Sequence, residues 1–132
     1  MAGITDLICK TADGKLSFGN FDLDSKQKRS DFPFEGDLYK VKTFKEITKL
    51  ERNGSFVYES VPGTAVEHFS AKHDGVEFTV SGDKDAQITI QLEDDTEYEV
   101  YVDGVAVGGM KTNMSGKLVV SVELSEGVTC LV

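Results

Sequence analysis

Apolar and polar side chains alternate with a period of two along most of the second half of the chain. Val76, Phe78 and Val80 fall on one side of an extended backbone, and Glu77, Thr79 and Ser81 on the other. Ile88, Ile90 and Leu92 alternate in the same way with Gln87, Thr89 and Gln91, and Tyr98, Val100 and Val102 with Glu97, Glu99 and Tyr101. Leu118, Val120, Val122 and Leu124 continue the pattern. Such alternation turns one set of side chains to a core and the other to water, so these segments read as four half-buried strands of a meander or sandwich.

Turn signals separate the runs: Asp13-Gly14, Glu35-Gly36-Asp37, Asn53-Gly54, Pro62-Gly63, Asp74-Gly75, Ser81-Gly82-Asp83, Asp103-Gly104, Ser115-Gly116 and Glu126-Gly127. Asn-Gly and Asp-Gly are the strongest of these, because a type I′ turn needs positive φ at both central residues. Hairpins are expected at 53–54 and 103–104. In the first half, strands are expected at 4–9, 15–21, 38–44, 46–52 and 55–61. Over 37–52 a helix capped by Asp37 competes with two strands. The β-branched Val41, Thr43, Ile47 and Thr48, followed by Asn53-Gly54, favour strands. Residues 22–34, with Lys26, Lys28, Arg29 and Pro33, read as an exposed loop or sheet edge.

The pattern therefore predicts an all-β fold, an antiparallel β-sandwich or two packed β-sheets joined by hairpins. The 132 residues suit a single domain, because folding at this length buries about two-thirds of the unfolded chain's surface without a metal or disulfide staple. Charge refines that picture. Residues 1–65 carry ten acidic and ten basic side chains, and residues 66–132 carry thirteen and four, so the whole net charge of −9 lies in the second half. The boundary at Pro62-Gly63 admits two lobes, a neutral one over 1–61 and an acidic one over 62–132. An acidic body repels phosphate backbones, so nucleic acid is not an expected partner. No apolar run is long enough for a membrane span, and the first residues lack the basic and apolar regions of a secretory signal, so a cytoplasmic location is expected.

Candidate chemistry is sparse. Cys9 and Cys130 lack metal-ligand spacing; buried thiols are the expectation, and a bridge between terminal strands the rival. His68 and His73 do not supply a converging ligand set, and Glu93-Asp94-Asp95, Asp83 with Asp85, and Asp22 with Asp24 match no calcium loop. No metal or cofactor is expected. Neither a nucleophile elbow nor a phosphate loop is present, which points away from an enzyme. With no Trp, sugar stacking falls to Tyr39, Tyr58, Tyr98 and Tyr101, of which Tyr101 is expected outward beside Glu99 and Asp103, the candidate binding residues.

Several stretches together carry a resemblance: residues 14–20 (GKLSFGN), 36–44 (GDLYKVKTF), 56–66 (FVYESVPGTAV), and Val102-Asp103-Gly104 through Gly116-Lys117-Leu118. Over most of its length the chain resembles a group of short β-rich proteins of anaerobic Gram-positive bacteria, some bearing the label endosialidase. A sialidase uses three arginines for the sugar carboxylate and a tyrosine nucleophile on a large propeller. This chain has only Arg29 and Arg52, so the resemblance assigns no catalytic residue. The expectation is a noncatalytic binding or assembly protein that associates with itself or a protein partner, its locally basic 40–52 region against the acidic half. A carbohydrate-binding module and a small hydrolase are the alternatives.

Overall fold

The computed structural model describes residues 7–12, 14–72, 75–82, 85–102, 105–122 and 128–131, and every regular element among them is a β-strand. The strands form two antiparallel sheets packed as a sandwich. The seven-stranded sheet contains β1 (Ile8–Lys10), β2 (Leu16–Phe18), β7 (Ala65–Lys72), β8 (Gly75–Ser81), β10 (Glu97–Val102), β11 (Val105–Lys111) and β13 (Val128–Leu131), in the order β1-β2-β7-β8-β13-β10-β11. The six-stranded sheet contains β3 (Gln27–Phe34), β4 (Asp37–Phe44), β5 (Ile47–Arg52), β6 (Ser55–Val61), β9 (Ala86–Gln91) and β12 (Lys117–Val122), in the order β12-β9-β6-β5-β4-β3. Among the described residues no helix is long and apolar enough to cross a membrane.

Period-two alternation builds the core between the sheets. Val76, Phe78 and Val80 from one sheet and Ile88, Ile90, Leu118, Val120 and Val122 from the other are buried, as their spacing predicts. Leu92, Tyr98 and Val102 are only half-buried and pack at the margin of that core. Phe18, Tyr58, Phe69 and Phe78 meet largely edge to face at the centre. The four second-half strands are a sandwich and not a meander, since β8 and β10 lie in one sheet and β9 and β12 in the other. Both sheets draw strands from either side of residue 62, and one apolar cluster joins them.

Residues 37–52 form strands β4 and β5, not a helix. The segment expected as loop or edge contains β3, an edge strand whose pairing is interrupted between Arg29 and Phe32 and which carries Pro33, both features that discourage further pairing. The expected strands at 4–9 and 15–21 shorten to β1 and β2; residues 4–6 lie outside the described part. Asn53 and Gly54 both have positive φ, as a type I′ hairpin requires. Val102 pairs with Val105 across the other expected hairpin, whose Asp103 and Gly104 are outside the described residues, as are Asp74, Asp83 and Glu126-Gly127.

Pro62-Gly63 is not a hairpin turn but the place where the chain leaves the six-stranded sheet for the seven-stranded one. The crossing is tight. Gly19, at φ 96°, lies so close to the Thr64 carbonyl that a Cβ there would overlap it. Gly19→Ala is therefore expected to lose at least about 2 kcal/mol in urea unfolding, from strained backbone and collision together. Gly36→Ala, also at positive φ but with no atom within 4 Å of its Cβ position, should lose only about 1 kcal/mol. Equal losses would contradict the close approach.

Candidate functional site

The densest polar cluster in the interior surrounds the crossing. Asn20 donates its N–H to Thr43 Oγ1 at 2.9 Å, and Thr43 Oγ1 lies 2.8 Å from Thr48 Oγ1. Thr48 Oγ1 donates to the Thr64 carbonyl at 2.8 Å and accepts the Thr64 N–H at 3.0 Å. Thr64 Oγ1 then meets both the Tyr58 hydroxyl and Ser60 Oγ at 2.8 Å. Thr43, Thr48, Tyr58, Ser60 and Thr64 are all fully buried. The cluster contains neither base nor charged group. Its hydroxyls satisfy the backbone at a sheet crossing that no strand ladder covers, which is a structural task.

Two of the three expected binding residues are among those described. Glu99 and Tyr101 do share the outer face of β10, Glu99 exposed and Tyr101 half-buried, while Asp103 lies outside the described residues. The tyrosines form no platform. Tyr58 and Tyr39 are buried, and Tyr98 sits on the opposite face of β10, its hydroxyl accepting the Glu93 N–H at 3.2 Å. Burial pushes the Tyr39 hydroxyl pKa up, partly offset by its hydrogen bond to Arg52 and by that residue's charge.

His68 is exposed on β7, His73 is outside the described residues, and among those described no group of three His, Cys, Asp or Glu side chains is arranged for a metal. The acidic loop residues serve locally: Asp95 pairs with Lys111 at 3.1 Å, and Asp24 lies 3.9 Å from Lys45. Three strands separate β1, with Cys9, from β13, with Cys130. Four strand spacings are ~19 Å, far beyond the ~7 Å between Cα atoms that a disulfide tolerates.

What the fold does assemble is a lysine face. Lys28 of β3 is the register partner of Lys42 of β4, and Lys42 is the partner of Lys49 of β5. The same row runs on through Glu59, Thr89 and Val119 across the whole six-stranded sheet. Lys40, two residues from Lys42 on β4, joins Lys28, Lys42, Lys49 and Glu51 around a small depression of about 50 Å³. Lys49 forms an ion pair with Glu51 at 3.6 Å, and Glu51 is also the register partner of Lys40. Among the described residues no salt bridge reaches Lys28, Lys40 or Lys42. Like charges directly opposite on antiparallel strands destabilise a sheet. Desolvation and the charges of Lys26, Lys49, Lys28 and Lys40 hold the Lys42 ammonium below the ordinary lysine pKa.

Among the described residues the outer face of the seven-stranded sheet is predominantly acidic, although Lys111 of β11 stands opposite Glu97. Glu97 and Glu99 alternate outward along β10, Glu77 along β8 opposite the buried Val76 and Phe78, and Glu67 along β7 beside the buried Val66. The described parts of the two outer surfaces therefore differ in their predominant charge, lysine on one and glutamate on the other. Sequence reading registers the basic 40–52 region and, separately, Lys26, Lys28 and Arg29. The signal that unites them is lysine at alternate positions, 26 and 28, then 40 and 42, but only the strand order shows that these pairs lie side by side.

No protein-family model matches the chain, and comparison with curated proteins and with solved structures returns no match either.

Lys42 gives the face a measurable signature. Its lowered folded-state pKa means that the unfolded chain binds its proton more tightly, so its charge opposes folding at neutral pH. That opposition fades as pH rises through the folded-state pKa towards the unfolded value near 10.5. Lys42→Gln is expected to be more stable than the wild type at pH 7, with the difference shrinking as pH approaches that value. Urea unfolding across the alkaline range measures it, and a difference independent of pH would contradict the assignment.

Proposed function

We propose that the protein is a noncatalytic assembly module that self-associates head to tail, the lysine face of one copy against the carboxylate face of the next. One observation carries this reading: the described parts of the two outer surfaces of a single sandwich differ in predominant charge, Lys28, Lys40, Lys42 and Lys49 on one and Glu67, Glu77, Glu97 and Glu99 on the other. Surfaces of complementary charge steer encounter and set orientation more than they supply raw affinity. Because the two patches differ, the contact is heterologous, and it builds a ring if the rotation closes and an open filament if it does not.

Size sets the strength. Strands ~4.8 Å apart and six to eight residues long give β3–β6 an outer face of roughly 20 Å by 20–25 Å, on the order of 400–500 Å² per partner. A standard stable interface buries about 800 Å² on each side. The association is accordingly weak, responsive to concentration, and screened by salt.

Sedimentation velocity tests the reading. The average mass should grow with protein concentration at about 20 mM salt and fall to the monomer at about 0.5 M, where the Debye length is only a few ångströms. Lys42→Glu with Lys49→Glu, and separately Glu97→Lys with Glu99→Lys, should each abolish association. Mixing the two variants should restore it between them, because each then supplies the charge the other lacks. A monomer at both salt concentrations would overturn the proposal.

A further inference from the structure

The lysine face has a cost that the fold does not explain. In β3, β4 and β5 the three lysines of one register row stand on neighbouring strands, with backbones ~5 Å apart, so that Lys28 and Lys49 flank Lys42 within ~10 Å of each other. Lys40 lies ~7 Å from Lys42 along the same strand. Nothing about sheet formation asks for this composition: the corresponding positions of β9 and β12 hold Thr89 and Val119. These four lysines and Glu51 line a depression of about 50 Å³, several times the roughly 10–15 Å³ that admits one water. Carboxylates offset the lysine charge only at the margins: Glu51 pairs with Lys49 and stands opposite Lys40 in register, and Glu59 stands opposite Lys49, whereas the register neighbours of Lys42 are both lysines.

A ligand that removes the repulsion must be small, multiply charged and able to accept hydrogen bonds in several directions at once. Each ammonium offers three rotatable donors and no acceptor. A tetrahedral oxyanion presents acceptor oxygens on every side and fits between converging lysines, whereas chloride offers a single charge and no directional set. We propose that the cleft lined by Lys28, Lys40, Lys42 and Lys49, with Glu51 the carboxylate among them, is an oxyanion site that binds a phosphate or sulfate group, with Lys42 at its centre. The inference rests on the lysine geometry and not on self-association. It adds a consequence to it: the oxyanion and the carboxylates of a second copy compete for the same ammonium groups. The lowered pKa of Lys42 accords with this, because desolvation and then the neighbouring lysine charges depress it, and an arriving anion offsets the second of these.

Thermal unfolding and isothermal titration of the full chain test the site, with sodium chloride added to hold ionic strength constant. Phosphate and sulfate should each raise the wild-type melting temperature saturably above the chloride baseline. Lys42→Gln should weaken phosphate binding at least tenfold while melting no lower than the wild type without phosphate, which separates a lost site from a damaged fold. Lys111→Gln, on the other sheet, should bind as the wild type does. Tripolyphosphate distinguishes the sources of the group: affinity at least tenfold above that for orthophosphate assigns the cleft to linked phosphoryl groups, and equal affinity assigns it to the free ion. Either result supports the site. Phosphate that acts no differently from chloride at equal ionic strength overturns it, as does a Lys42→Gln variant that binds like the wild type. Sedimentation in the same buffers reads assembly independently, so a monomer that binds phosphate contradicts self-association and leaves the oxyanion site standing.

Discussion

The structure depends on how one backbone crossing is satisfied. Between Val61 and Ala65 the chain passes from one sheet to the other and leaves both ladders, so the peptide groups there lose their usual partners. The Thr48 hydroxyl takes both the N–H and the carbonyl of Thr64, and Thr43, Tyr58 and Ser60 complete the set. An unmatched buried polar group costs about 1–3 kcal/mol, so the cluster is held together by the penalty for breaking any part of it. No buried side-chain nitrogen or oxygen among the described residues is left without a partner. The Gly63 N–H bonds the Lys45 carbonyl at 3.0 Å, and the Lys45 N–H bonds the Leu23 carbonyl at 2.9 Å. The β4–β5 hairpin is thereby tied to the crossing and to the chain entering β3.

That tie fixes the surface as well as the core. Thr43 and Thr48 face inward as a register pair, so the neighbouring pair, Lys42 and Lys49, must face outward together. A slip of one residue would carry the lysines into the core and the threonines into water. Register is thus specified by hydroxyls as strongly as by Val41 and Leu50, and the repulsion among the lysines is borne because the inner face leaves no alternative. In a chain of net charge −9, a compact positive face is a local inversion of the overall field. It gives the molecule two unlike sides, which is what directional assembly and anion capture each require.

Much of this fold is legible from alternation alone. Strands β8, β9, β10 and β12 follow from side chains of period two, and Asn53-Gly54 specifies its hairpin through backbone sign. Alternation also assigns the correct inner face, because one apolar face must be buried whatever the partner strand. Partner choice escapes such a reading. Nothing local to Val76–Val80 says that β8 will pair with β13 and not with β9, and nothing local to Lys28 says that it will stand opposite Lys42. The buried threonines hide for a related reason: Thr43 and Thr48 read as ordinary β-branched strand residues until the crossing brings Thr64 against them. Alternation places Glu99 and Tyr101 together on the outer face of β10, but it does not show that Tyr39 and Tyr58 go into the core and Tyr98 to its margin.

Zero-length carbodiimide cross-linking at low salt, read by peptide mass spectrometry, tests the central claim most directly, because it joins only ammonium and carboxylate groups already in contact. The lysine and carboxylate faces point away from each other on opposite sides of one sandwich, so a bond between them must come from two molecules. The account predicts intermolecular links from Lys28, Lys42 or Lys49 to Glu97 or Glu99, lost at high salt. Links confined to local pairs such as Lys49–Glu51 and Lys111–Asp95 would show that the two faces do not meet.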